Sequence, residues 1–411
     1  MKLLFLSNFF PPAAVGGYEQ WCQEVAQALL ARGHDVSVIT SRADVNDTGT
    51  IPVYRAIELE VTGGIRSTIG RFLRRRQLEA STLAATERLV NEIRPDAVLI
   101  WGMWNVPRSV PALVEGLLPE QTAYYFCDYW PSLPSAFVQQ LSAPAKRRAT
   151  ALPKRLVARA LLRKAEPTTP LQFRYPICVS HAVRRLLVEA GIDISHARVI
   201  HGGTEVQSVE TGRKTSAVVR LLYLGRLTAD KGFHTAVEAV RVLAERALTV
   251  QLDVYGQGDP AYLQKVCQVI EKHHLSSAVR FFGSVTRDEL PALLSRYDAL
   301  IFPSEWQEPF ARTVLEAMAA NLLVIGTTTG GTGEILKHRE TGLTFKAGDA
   351  LDLADQIECV ARDCAPFRKF AETGRNAVLE RFTLRRMVDQ IEEVLGSLSD
   401  SRLTSQKLVN I

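Results

Sequence analysis

KLLFLSNFFPPAAVGGYEQWCQEVAQALLARGHDVSVIT, residues 2–40, decides how the chain folds. KLLFLS (2–7) is a short unbroken apolar run, the pattern of a strand buried on both faces. From Tyr18 to Arg32, the residues Trp21, Val25, Ala28 and Leu29 recur at helical spacing, and Gly33 stands where a helix end favours positive φ. HDVSVITS (34–41) then predicts a second strand. Strand, helix and strand form a βαβ unit, the repeat of parallel sheets covered by helices on both faces. Between strand and helix, SNFFPPAAVGGYEQW (7–21) carries Pro11, Pro12, Gly16 and Gly17. One reading is a plain turn. The other is a loop bare of side chains at a helix N-terminus, where amides and dipole favour a phosphate. Glu19 is expected to cap or orient this loop and not to act as a base.

The same alternation continues. PDAVLIWG (95–102), QTAYYFCDYW (121–130) and YPICVS (175–180) are strand candidates, with the helix HAVRRLLVEAG (181–191) behind the last. TGRKTS (211–216) has the composition of a linker or hairpin, after which the pattern restarts. VVRLLYLGRL (218–227), TVQLDVYGQG (249–258), AVRFFGSV (278–285), DALIFPS (298–304) and LLVIGTT (322–328) predict strands separated by helical stretches. The expected fold class is α/β, with two doubly wound Rossmann-like domains facing each other across a cleft where open sheets bind ligands. A length of 411 residues suits two such domains.

Composition excludes several classes. Hydrophobic content of 46% and charged content of 23% are ordinary for a globular chain, so disorder is not expected. The net charge is +5, and residues 1–200 hold 24 Lys and Arg against 17 Asp and Glu. That excess suits anionic ligands or an anionic membrane surface but falls short of a nucleic-acid footprint. The six cysteines are scattered without a Cys-x-x-Cys pair, which suggests neither zinc nor disulfides and fits a reducing cytoplasm. The opening apolar run lacks a small-residue cleavage site, and no stretch is long and apolar enough to span a bilayer. RSTIGRFLRRRQLEA (66–80) and KRRATALPKRLVARALLRK (146–164) can form basic amphipathic helices. These are either solvated faces or attachments to anionic lipid.

The second half carries the chemistry. YLGRLTADKGF (223–233) places Gly225 and Arg226 at a strand end and Lys231 just before a helix. Two cations there can hold a diphosphate, or can be a surface patch. In EPFARTVLE (308–316), Glu308 lies in a loop and Glu316 about one turn inside the helix that begins near Arg312. The two carboxylates can grip sugar hydroxyls, with backbone amides near Pro309–Ala311 facing anionic oxygen. Alternatively, Glu308 is a dipole-favoured charge and Glu316 an exposed helix residue. TTTGGTGEI (327–335) adds a glycine-rich loop after another strand.

In order, the chain presents Gly-Gly-x-Glu (16–19), GHDVSVIT, VSHAVRRLL, YLGRLTADKG, YGQGD, FFGSV, PSEWQEPFARTVLEAMA and GGTGEIL. Together these resemble the retaining GT-B glycosyltransferases of family GT4, also called group 1, over about residues 3–395. The resemblance implies an acceptor-side domain at 1–205 and a nucleotide-sugar-binding domain at 206–383. A C-terminal segment, about 384–411 and including LRRMVDQIEEVLG (384–396), crosses back to the first. It implies that Gly16 and Gly17 lie beside the donor diphosphate and that Arg226 and Lys231 stabilise the leaving nucleoside diphosphate. Glu308 contacts donor-sugar hydroxyls, Phe310 and Ala311 offer backbone amides, and Glu316 holds the ribose. Tyr255, Val285 and Leu315 complete the nucleotide-binding set. The implied reaction moves a hexose from a UDP- or GDP-linked donor to an acceptor hydroxyl, with no other cofactor. The acceptor is a glycan, a lipid-linked molecule or a small molecule. The site is cytoplasmic or peripheral at the inner membrane face, and no nucleic-acid partner is implied. The chain has no Asp-x-Asp to hold a metal, so the two cations take its place.

Three positions depart from the family pattern. Ala311 stands where glycine is usual, Asn321 replaces a glycine at an expected left-handed position, and Cys127 occupies the place of a histidine that reaches donor or acceptor. Asp128 is the candidate to inherit that contact, as a site residue or as a core cap. His201 is a second candidate, with a structural turn as its alternative. Competing functions are a sugar-nucleotide epimerase of the same architecture, a dinucleotide oxidoreductase and an idle binding module. The oxidoreductase lacks its Gly-x-Gly-x-x-Gly after the first strand.

Overall fold

The computed structural model describes residues 1–13, 16–47, 49–143, 158–159, 161, 169–206 and 218–409. The proposed linker at 211–216 lies outside these residues, as does most of the second basic stretch. The chain divides into two compact units, Met1–Val179 with Val183–Ile200 and Val388–Ile411, and Ser180–Ala182 with His201–Met387.

The first unit is a seven-stranded sheet of β1 (Lys2–Ser7), β2 (Asp35–Ser41), β3 (Val53–Ile57), β4 (Ala97–Ile100), β5 (Thr122–Phe126), β6 (Tyr175–Cys178) and β7 (Arg198–Val199). Its order is β3-β2-β1-β4-β5-β6-β7, with every pairing parallel. The unbroken apolar runs of β1, β4 and β5 are buried along their length because helices cover both faces. The first helix runs Gly17–Ala31 and ends before Gly33 at φ 88°.

The second unit repeats the plan with β8 (Val219–Leu224), β9 (Val250–Tyr255), β10 (Val279–Gly283), β11 (Ala299–Phe302), β12 (Leu323–Gly326) and β13 (Leu343–Thr344). The order is β10-β9-β8-β11-β12-β13, again parallel. Each sheet thus winds outward one way and then the other. The direction reverses between β1 and β4 in the first unit and between β8 and β11 in the second. In open sheets of this kind the loops leaving such a pair of strands diverge, and ligands bind at the carboxyl edge between them.

The first basic stretch is helical, Ile65–Leu73 followed by Arg75–Ile93. Its apolar face is already occupied. Phe72 is buried edge-to-face against Phe137, within a cluster that includes Leu141 and Ala158. Arg71 binds Glu58 and the Leu59 carbonyl, leaving Leu73 as the exposed large apolar residue of that turn. No helix of the described residues is long and apolar enough to cross a membrane.

Candidate active site

In the second unit the candidates Arg226, Lys231 and Glu308 fall on the loops at the sheet reversal. β8 leads into Gly225 and Arg226, then a single 3-10 turn, Ala229–Lys231, that ends at Gly232 with φ 66°. β11 leads into Pro303, Ser304 and Glu308, and the helix Arg312–Ala319 begins directly after Ala311. Backbone contact locks the two loops together. The amides of Glu305 and Trp306 donate to the Asp230 carbonyl at 2.9 and 3.0 Å. A Cβ on Gly232 would stand 1.9 Å from the Pro303 carbonyl oxygen, so only glycine permits the approach.

This contact delivers Lys231 to Glu308. Lys231 Nζ lies 2.6 Å from Glu308 Oε1, with side chains 16% and 9% exposed. Ser304 Oγ, fully buried, donates to the same Oε1 at 2.5 Å. The Ser304 carbonyl in turn accepts from Thr327 Oγ1 at 2.6 Å and Thr329 Oγ1 at 3.2 Å. Glu308 is therefore a carboxylate held in one orientation by a cation and a hydroxyl. The glycine-rich loop packs beneath it: Gly331 N donates to the Glu308 carbonyl at 2.6 Å, and a Cβ on Gly330 would meet that oxygen at 2.2 Å. Arg226 is exposed, and among the described residues no side-chain hydrogen bond or ion pair engages its guanidinium.

Glu316 is not the exposed helix residue that one reading allowed. Its Oε1 accepts from Arg312 Nε at 2.8 Å, one turn back, and from an Arg287 guanidinium nitrogen at 2.9 Å. Arg312 is 8% exposed, and the pair is thus largely removed from water. Phe310, Ala311 and Leu315 are buried, so any contact from the first two would come through backbone. Asn321 has φ 55°, the left-handed conformation its place at the helix end requires. Tyr255 stacks on the exposed Phe282 at 5.0 Å, and Val285 follows two residues after Gly283 at the end of β10. The nearby Gly256 and Gly258 are more than turn residues. Added Cβ atoms would lie 1.8 Å from the Gly225 carbonyl and 1.9 Å from that of Leu227.

His201 has a partner that sequence reasoning passed over. Its Nε2 is 2.8 Å from Glu334 Oε2, and its ring packs on Phe310 at 5.2 Å. Glu334 also accepts the amides of His181 and Ala182, which open the helix His181–Glu189. Burial alone would raise the Glu334 carboxyl, but these hydrogen bonds hold it below the ordinary range. Glu334 sits in GGTGEIL and Ser304 in PSEWQEPF, so both were in view only as parts of a motif.

In the first unit, Gly16 precedes the helix Gly17–Ala31, and its amide donates to Glu19 Oε2 at 2.8 Å. Glu19 is buried and orients the loop, as its position suggested. Cys127 is 5% exposed, and burial pushes its thiol well above the usual range, so it stays neutral. Asp128 Oδ1 accepts the Trp130 amide at 2.9 Å. Desolvation raises its carboxyl to about 6 against that hydrogen bond, with Glu19 adding to the shift. Folding therefore favours the protonated acid. The stability it contributes is full below about pH 4 and is lost as the pH rises through about 6. Asp128→Asn keeps an acceptor for Trp130 and removes the charge. The variant should gain on the order of 3 kcal/mol over the parent near pH 8 and little near pH 4. Thermal unfolding at both pH values checks this, and equal differences at both would place the charge in solvent.

The strand reversal is where an open α/β sheet takes a ligand, and sequence comparison gives the class its name. Residues 211–377 match the family glycosyl transferases group 1, and residues 15–208 match Glycosyltransferase Family 4. The chain belongs to this family and is a glycosyltransferase of the GT-B fold class. It is 27% identical over 404 residues to the glycogen synthase of Mycobacterium tuberculosis, covering 93% of this chain and 91% of that protein. Its fold is similar to that of HepE from Anabaena, solved with UDP and glucose. There the TM-score is 0.68 at 22% identity, over 97% of this chain and 100% of that one. The sucrose-phosphate synthase of Thermosynechococcus elongatus gives a TM-score of 0.73 at 21% identity, over 98% and 100%.

Proposed function

We propose that the chain is a retaining hexosyltransferase that takes a hexose from a nucleotide-sugar donor, gives it to an acceptor hydroxyl and releases nucleoside diphosphate. The observation that carries this reading is the meeting of Lys231 and Glu308 on two interlocked loops at the sheet reversal of the second unit, with Arg226 exposed on the same loop as Lys231. As the bond to the anomeric carbon breaks, negative charge builds on the departing phosphate and positive charge on the sugar. Arg226 and Lys231 answer the first, and donors fixed before the reaction cost no reorganisation when charge develops. Glu308, oriented by Ser304, accepts from the donor-sugar hydroxyls. The leaving phosphate takes the acceptor proton on the face it departs from, which retains configuration and requires no carboxylate nucleophile. Glu316 holds the ribose through hydroxyl contacts, with Tyr255, Val285 and Leu315 around the nucleotide and the amides of Phe310 and Ala311 toward the sugar. In the first unit, Gly16 and Gly17 offer bare backbone to phosphate, and Asp128 is the candidate acid or base. The reaction is cytoplasmic.

The nucleotide is tested first with UDP, because HepE was solved with it. A thermal shift with UDP, GDP, ADP and dTDP should single out one, since a ligand at about 100 times its Kd adds about 2.7 kcal/mol. Release of nucleoside diphosphate should depend on an acceptor. Glu316→Ala should raise the donor KM by about tenfold or more, with a smaller change in kcat, as hydrogen bonds to a charged group are worth about 1.5–3 kcal/mol. A fall in kcat at constant KM would remove Glu316 from the ribose.

A further inference from the structure

The first unit contains a cavity of about 220 Å³ that none of the residues discussed for the donor lines. It lies at the carboxyl edge of the sheet, walled by the segments that leave β3 (Glu58–Glu60), β4 (103–109) and β5 (130–138). Phe72, Leu78 and Glu79 of the two basic helices close another side. These elements come together because Phe72 packs on Phe137, and because Asn105 binds both the amide and the carbonyl of Val61 at 2.8 Å.

The lining is specific in its chemistry. Glu58 is committed to Arg71 and Arg42, and Glu60 accepts the Phe137 amide. An Arg108 guanidinium nitrogen is spent on the carbonyls of Trp130, Pro131 and Leu133. Glu79 takes the Ser109 hydroxyl, which places a carboxylate and a hydroxyl side by side on the wall. Two indoles complete the set. Trp104 is 38% exposed, whereas Trp130 is 4% exposed and its buried Nε1–H has no acceptor among the described residues. A buried donor without a partner is costly and calls for an explanation. A ligand oxygen supplies one. Carboxylate acceptors, a hydroxyl, flat apolar indole faces and an unused N–H match a ring that alternates C–H faces with hydroxyls. They match an anion poorly, since three glutamates line the space, Arg75 lies over the Phe72 ring and donates to the Phe72 carbonyl, and an Arg108 nitrogen is engaged by backbone.

We propose that this cavity binds a single sugar ring through Glu79, Ser109, Trp104 and Trp130. That the bound ring is the acceptor rests on the transferase reading; that it binds does not.

Saturation-transfer NMR on the full chain tests the site with the methyl pyranosides of glucose, galactose, mannose and N-acetylglucosamine, each at about 10 mM to reach weak affinities near 1 mM. At least one should receive saturation, and Glu79→Gln and Trp104→Ala should each weaken it about tenfold. Thermal shift with UDP, run on the same samples, should be unchanged in both variants. No signal from any glycoside, a signal indifferent to both variants, or tighter binding of myo-inositol 1-phosphate than of every glycoside overturns the site. A UDP shift without glycoside binding rejects this cavity and leaves the transferase reading standing. Glycoside binding without a shift from any nucleotide supports the cavity and rejects that reading.

Discussion

On the proposed mechanism, Lys231→Ala should lower kcat/KM for sugar transfer by about 10²–10³-fold, because it would remove a preorganised cation from the oxygen on which charge develops. It should also destabilise the fold. Glu308 is 9% exposed and 2.6 Å from Lys231, so truncating the lysine strands a carboxylate with Ser304 as its remaining side-chain partner. Breaking one side of a buried pair typically costs about 3–5 kcal/mol, and the exposed edge of this pair argues for the lower end. The double variant Lys231→Ala/Glu308→Gln separates the two effects. It should recover most of the lost stability, read by thermal unfolding, and none of the lost transfer. Recovery of activity along with stability would make the pair a structural strut and would withdraw Lys231 from the chemistry.

Gly232→Ala should be among the most disruptive single methyls in the second unit. The position has φ 66°, and the added carbon would sit 1.9 Å from the Pro303 carbonyl. Left-handed backbone costs a non-glycine residue about 1–2 kcal/mol, and overpacking adds about 1–3 kcal/mol. The damage reaches function because Pro303 and Lys231 belong to the two loops that meet here. Separating them pulls Lys231 from Glu308. Gly283→Ala is the control, since it shares a positive φ of 78° but has open space around its missing Cβ. It should lose about 1–2 kcal/mol and keep nucleotide binding. Equal losses in the two variants would show that backbone strain, and not loop contact, governs Gly232.

How much of this was legible beforehand follows from what each feature depends on. β1, β2, β4 and β5 could be found because burial on both faces writes an apolar run into the chain itself. β3 is half-buried along most of its length, and β7 and β13 have two residues each, so pairing with neighbours defines them and no local pattern does. Asn321 was legible because a left-handed helix end leaves few residue choices. Ser304 was not, although it lies four residues before Glu308, since a hydroxyl earns a role only through what the fold brings near it. Glu334 and His201 are 133 residues apart, and their pairing is a fact of topology. The basic stretch at 66–80 was rightly expected to be helical, but its amphipathic pattern could not say that Phe72 faces protein.

The segment Val388–Ile411 belongs to the first unit, although nearly half the chain separates it from the rest of that unit. Ile391, Leu395 and Leu398 are buried, Asp389 and Glu392 pair with Arg32, and Glu393 pairs with Arg198 at 2.7 Å. On the ribosome, the seven strands of that unit emerge before the second unit, yet the helix that closes it emerges after it. At about 5–20 residues per second, the wait from residue 200 to residue 400 is roughly 10–40 s. Throughout that interval the surface meant for this helix is open to other apolar chains. A premature stop near residue 385 would leave the sheet of the second unit whole and the earlier-made unit permanently unsealed.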